Sequence, residues 1–312
     1  MLKAINDIKM DERNIFLLWE GNYPKRDNLI QIQVCLKSIA VNEPEANVYL
    51  FSNVLKEGDL PHDGAALVRW SYSELAEQTD LDGTLPNARS DWRVWSDVFR
   101  VVCLWRWGGT YFDVDDIMVR PLPERKNVMA ACFLTDAQHT SWLPNNSISD
   151  TYAASTGNLA LPRHFRFGND PMTNFDAHNS FLQKWLMEIP GTEPSSWGQV
   201  LPSQIFSSDP GWARNLINPI PWSDLLYHPY DGGHHPDDQR YPGIMISTHQ
   251  MIGTESQSND CFGKLLGAYG FYLVKNHDFN QQILASEPQQ LLRWVVQGLF
   301  REHGSGDALY QR

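Results

Sequence analysis

Between Trp95 and Phe112 the chain reads W-S-D-V-F-R-V-V-C-L-W-R-W-G-G-T-Y-F, and the glycine pair near its end forces a change of structure. Trp95, Phe99, Val102 and Cys103 recur at helical spacing, and nothing before Gly108 interrupts them. Gly108-Gly109 is where such a helix must stop, because glycine reaches the left-handed turn that closes a helix at little steric cost. A strand over Thr110–Phe112 follows, and Asp113, Asp115 and Asp116 come directly after it. Upstream, the run Asn14–Trp19 reads as a buried strand. Leu29, Ile32, Cys35, Leu36 and Ile39 mark a helix, and Asn47–Phe51 returns as a strand. This β-α-β opening, followed by a helix that turns straight into another strand, predicts an α/β fold.

Asp113, Asp115 and Asp116 at one strand end repel one another unless a cation sits among them, and hard oxygen ligands suit Mg²⁺ or Mn²⁺. Such ions keep water and bridge to phosphates, so a metal here is expected to arrive with a nucleotide diphosphate. D-x-D by itself is common in turns and helix caps, and only its setting makes it specific. Asp97 and Arg100, three apart, share a helix face. Their plainest reading is a surface ion pair worth about 0.3–0.5 kcal/mol.

Taken together, D-x-x-R, an apolar helix, W-G-G-x-Y-x-D-x-D and a P-L-P exit resemble the DXD-motif glycosyltransferases of GT-A fold. The resemblance is to the mannosyl, galactosyl and GlcNAc transferases and to the large glucosylating toxins. It implies a Rossmann-like nucleotide-sugar-binding mixed sheet flanked by helices, with an elaborated C-terminal half. It implies one catalytic domain over 1–312, with a donor-binding half at 1–123 that ends in the DXD motif and an acceptor-side half at 124–312. Asp97 and Arg100 would then hold the sugar hydroxyls, Asp113 the ribose and sugar, and Asp115, with Asp113, the metal.

The family's first strand ends in an aromatic residue that stacks on uracil, which makes Trp19 a candidate base platform; a core tryptophan is the equal alternative. The family often completes its metal shell with a residue after a late strand. Here Gly270–Asn276 reads as that strand, and His277, Asn276 and Asn280 compete for the role. The expected reaction is metal-dependent transfer of a hexose or N-acetylhexosamine from a UDP-sugar, with retention of configuration. The acceptor could be a glycan, a protein or another hydroxyl or amine. Two other classes fit the acids less well: a metal-dependent phosphoesterase, which should show more Asp, His and Glu ligands, and a non-catalytic sugar-binding relative.

Composition narrows the field. With 312 residues, 42% hydrophobic and 20% charged, the chain can bury a large core. A formal net charge of −12 argues against a surface that coats nucleic acid. Cys35, Cys103, Cys132 and Cys261 lack C-x-x-C spacing and read as reduced, buried thiols. No apolar run approaches membrane-spanning length, so a cytoplasmic protein is expected. The remaining text reads as loops with scattered elements. Val128–Leu134 is a strand, Thr135–Asn169 an irregular stretch with a basic aromatic patch at Arg163–Phe167, and Trp197–Phe206 a short helix. Tyr227–His235 reads as an acceptor-side or lid loop, because its histidines lack the spacing of a closed zinc site.

Overall fold

The computed structural model describes residues 2–24, 26–60, 65–79, 81, 92–114, 116–118, 121–134, 164–221, 226–227 and 245–247. The strands are β1 (Leu2–Ala4), β2 (Asn14–Leu18), β3 (Asn47–Phe51), β4 (Ala65–Arg69), β5 (Gly109–Tyr111) and β6 (Asp116–Met118). They continue with β7 (Val128–Leu134), β8 (His164–Phe175), β9 (Asn218–Pro221), β10 (Leu226–Tyr227) and β11 (Met245–Ser247). The helices are α1 (Arg26–Asn42), α2 (Tyr72–Ala76), α3 (Trp92–Trp107), α4 (Ser180–Glu188), α5 (Val200–Ser208) and α6 (Pro210–Arg214).

Eight strands form one mixed sheet in the order β1-β4-β3-β2-β5-β8-β7-β9. The five strands from β1 to β5 are parallel, whereas β8 runs antiparallel to both β5 and β7. Alternation along the parallel strands feeds two cores. Ile15, Leu17, Val48 and Leu50 meet Ile32, Cys35, Leu36 and Ile39 of α1 on one face. Phe16, Leu18, Tyr49 and Phe51 meet α3 on the other. A sheet covered on both faces explains why β2 reads N-I-F-L-L with no polar alternation.

The α3 face is thickened by α4 and α5. Phe181, Trp185 and Leu186 of α4 and Leu201, Ile205 and Phe206 of α5 join the same core as Phe99 and Val102. Asn179 caps α4 by accepting from the Phe181 and Leu182 N–H groups at 2.9 and 3.4 Å. Trp185 is fully buried and donates its Nε1–H to Trp197 O at 2.9 Å. Truncating it to alanine should cost about 3–5 kcal/mol.

The glycine pair closes α3 as its sequence predicts. Gly108 has φ +69 and donates to Leu104 O at 2.9 Å, and Gly109 has φ +98. A Cβ on Gly109 would collide with the Asn14 carbonyl of β2, so the glycine is needed for space as well as for conformation. The strand after it begins at Gly109, slightly earlier than its side-chain pattern suggests.

The N-terminal residues 2–4 pair in parallel with β4. One expectation changes. The patch expected in a loop at Arg163–Phe167 lies mostly in β8, and Phe167 is buried against Phe206 at a ring separation of 5.4 Å. The side chains of Cys35 and Cys103 are buried, as expected, and burial pushes the Cys103 thiol well above its usual range. Among the described residues, no helix is long and apolar enough to cross a membrane.

Candidate functional site

The chain order reverses at β2. From there it runs outward through β3 and β4, then returns to place β5 against the other edge of β2, with Ile15 opposite Thr110 and Phe16 opposite Tyr111. The two strands are parallel neighbours, so the segments that follow them leave from the same edge of the sheet, and Phe112, Val114 and Met118 after β5 pack on the α1 face. Trp19 follows β2 and Asp113 follows β5, so topology brings these two sequence candidates to neighbouring strand ends.

Trp19 is half-buried and packs against the α1-side core, while its Nε1–H donates to Asn22 O at 3.3 Å. Next to it, Glu20 accepts from the Asn53 N–H at 2.9 Å and from Trp70 Nε1–H at 2.8 Å. Burial pushes the Glu20 carboxyl above the usual carboxylate range, against the opposing pull of those hydrogen bonds.

Arg100 of α3 lies beside Asp113. It is not the surface partner that D-x-x-R spacing on a helix suggests, since only 1% of its surface is exposed. Its Nη2 lies 3.3 Å from Asp97 Oδ1 and 3.7 Å from Asp113 Oδ1, and its guanidinium covers the Tyr111 ring at 4.6 Å. Nε and Nη2 also donate to the Ser96 carbonyl and hydroxyl, one helical turn back, at 3.1 and 3.2 Å. A guanidinium withdrawn from water needs this many acceptors to offset its lost hydration. Tyr111 donates its hydroxyl to Asp113 Oδ1 at 2.7 Å. Among the described residues, one guanidinium thus faces two carboxylates, whose oxygens can also accept from the hydroxyls of a polar ligand.

The acids that follow one another in sequence part company in space. Asp113 keeps about a third of its side chain exposed, whereas Asp116 is buried in β6 and its N–H donates to Asp113 O at 3.1 Å. β6 pairs with the late strand β11, Ser247 opposite Asp116. Asp115 lies outside the described residues, as do Asn276, His277, Asn280 and the histidine-rich stretch after Tyr227. Among the described residues, no three His, Cys, Asp or Glu side chains gather as a metal-holding group.

Sequence reasoning missed Tyr111 and Gly198. Tyr111 was visible only as a strand residue, and nothing in its spacing says that its hydroxyl reaches Asp113. Gly198, from the loop before α5, stands so near Asp97 that a Cβ added to it would collide with the carboxylate. A lone glycine a hundred residues from its contact leaves no signal in a single sequence.

Residues 31–146 match the family described as glycosyltransferase sugar-binding region containing DXD motif. The matched segment includes Asp97, Arg100 and Asp113, and leaves out Trp19 before it and Gly198 after it. No curated protein matches the chain. Among solved structures, the PaToxG glycosyltransferase is 16% identical with a TM-score of 0.44, the match covering 67% of this chain and 73% of PaToxG. The galactosyltransferase LgtC, solved with donor and acceptor sugar analogues, is 11% identical with a TM-score of 0.37, over 83% of this chain and 95% of LgtC. The glycosyltransferase GlyE of Streptococcus pneumoniae TIGR4 is 12% identical with a TM-score of 0.37, over 87% of this chain and 64% of GlyE.

Proposed function

We propose that the protein is a metal-dependent glycosyltransferase that moves a hexose or N-acetylhexosamine from a UDP-sugar to a hydroxyl or amine acceptor, with retention of configuration. The observation that carries this reading is the Asp97–Arg100–Asp113 cluster at the end of β5, within a region that matches a sugar-binding family.

In this reading Asp97 accepts hydrogen bonds from sugar hydroxyls, and Arg100 fixes the orientation of both Asp97 and Asp113. Holding the sugar in one pose supplies part of the rate by proximity and orientation. Trp19, half-exposed at the next strand end, offers a face for the uracil. Asp113 and Asp115 are carboxylate donors of the kind a hard divalent cation takes. When bound, Mn²⁺ or Mg²⁺ would supply positive charge for the departing diphosphate. The third protein ligand is sought late in the chain. β11 is the late strand beside the acids, so His249, just beyond it in sequence, joins His277, Asn276 and Asn280 as a candidate. No separate protein nucleophile is required, since the leaving phosphate can accept the acceptor's proton.

The test is hydrolysis of a panel of UDP-sugars with Mn²⁺. Asp115→Ala should abolish hydrolysis and transfer, and Asp97→Ala should remove turnover while UDP still binds. Full activity of chelator-treated Asp115→Ala protein would refute the metal role. Trp19→Ala should lose UDP affinity without loss of fold, and unchanged affinity would rule out stacking.

A further inference from the structure

We infer that Gly198 is a positioning residue of the donor-sugar subsite, the point at which the second half of the chain sets the Asp97 carboxylate. This rests on the reading of Asp97 as a ligand of the donor sugar. A Cβ built on Gly198 would stand 2.6 Å from Asp97 Oδ2 and 2.7 Å from both Oδ1 and Cγ. Those separations are well inside van der Waals contact, so any other residue at 198 must displace the carboxylate or itself. The φ of Gly198 lies outside the left-handed region, so the glycine is there for the space and not for the conformation. Asp97 Oδ1 is also the atom held at 3.3 Å by Arg100. One carboxylate thus pairs with the guanidinium that orients it and fills the space that a side chain at 198 would need.

The loop cannot retreat to make room. Trp197, buried beside Gly198, accepts from Trp185 Nε1–H of α4 at 2.9 Å and donates its own Nε1–H to Thr192 O at 3.2 Å. On the other side, Ser203 of α5 donates to Gln199 O at 2.6 Å and accepts from the Phe167 N–H of β8 at 2.9 Å. Residues 197–199 are therefore tied to two helices and the central sheet, and Asp97 is the softer partner. A side chain at 198 moves the Asp97 oxygens relative to the bound sugar, and misplacement on the ångström scale is costly to turnover. Binding of the UDP moiety, at the strand ends near Trp19, is untouched. The matched sugar-binding region stops before this residue, so the subsite is completed by chain outside it.

The experiment compares wild type, Gly198→Ala, Asp97→Ala and the double variant by UDP-sugar hydrolysis with Mn²⁺, UDP affinity and Tm. Gly198→Ala should lower hydrolytic turnover by about tenfold or more while the Kd for UDP stays within about twofold. Its Tm loss should shrink in the Asp97→Ala background, where the obstructing carboxylate is gone. If Gly198→Ala does not fold, the double variant should fold. Undiminished turnover, a parallel loss of UDP affinity, or a Tm loss equal in both backgrounds overturns the positioning role alone. A wild-type protein that hydrolyses no UDP-sugar overturns the donor reading and this role with it.

Discussion

The Tyr111 hydroxyl donates to Asp113 Oδ1 at 2.7 Å while the same ring lies 4.6 Å beneath the Arg100 guanidinium. One side chain of β5 thus steadies both the cation and one of the carboxylates it faces. Tyr111→Phe keeps the ring and its contact with Arg100 but removes the hydrogen bond. Because Asp113 is partly exposed, the stability loss should be small, about 1 kcal/mol. Donor hydrolysis should fall several-fold, to about tenfold, from looser placement of Asp113. Urea titration and steady-state kinetics read the two effects, and unchanged kinetics would remove Tyr111 from the site.

Arg100 itself is the costliest charge to disturb. Arg100→Met strands Asp97 and Asp113 without their guanidinium and should destabilise the fold by about 3 kcal/mol. Arg100→Lys restores a charge but neither the fork toward two carboxylates nor the planar cover over Tyr111. It should recover most of the stability and little of the turnover. Equal recovery of both would mean that the geometry of the cation is irrelevant to the reaction.

Glu20 makes a pH-dependent prediction. Its folded pKa is raised by burial, so the folded state binds the proton more tightly than the unfolded chain does. The resulting stabilisation is complete below the ordinary carboxylate pKa and is lost as pH rises through the raised value. At neutral pH the ionised group is therefore a burden. Glu20→Gln, which keeps an oxygen for Asn53 and Trp70, should raise Tm at pH 7, with the gain vanishing near pH 4. A gain independent of pH would show that ionisation is not its origin.

Two glycines separate conformational from steric cost. Gly21 and Gly109 have nearly the same φ, +100 and +98, but a Cβ at Gly21 meets nothing within 4 Å whereas one at Gly109 meets the Asn14 backbone. Gly21→Ala should cost about 1–2 kcal/mol, the penalty of left-handed backbone alone. Gly109→Ala should cost several times that or prevent folding, since β5 would be forced off β2. Denaturant midpoints for the pair give the comparison directly.

The parallel half of the sheet was legible because strands covered on both faces write themselves as apolar runs: N-I-F-L-L and N-V-Y-L-F are found where the strands lie. The glycine stop was legible for a different reason, since only one residue type tolerates that backbone. Asp97 and Arg100 could be picked out as a pair, but a helix face looks the same from the sequence whether it meets water or a sheet. The burial of Arg100 therefore came from tertiary packing. Asp116 shows the reverse case. Its neighbours suggested a shared cation site, and a strand that pairs with Met245–Ser247 takes it into the interior. Long-range pairings of that kind leave no local periodicity to read.

The position of β5 also bears on how the chain can be divided. Its only neighbours in the sheet are β2, which precedes residue 31, and β8, which begins at His164. A fragment trimmed to the matched boundaries, 31–146, would expose both long edges of the strand that leads into Asp113, with open backbone groups ready to recruit other chains. Such a piece should aggregate rather than bind sugar, so the region recognisable by family is smaller than the smallest piece that can stand alone.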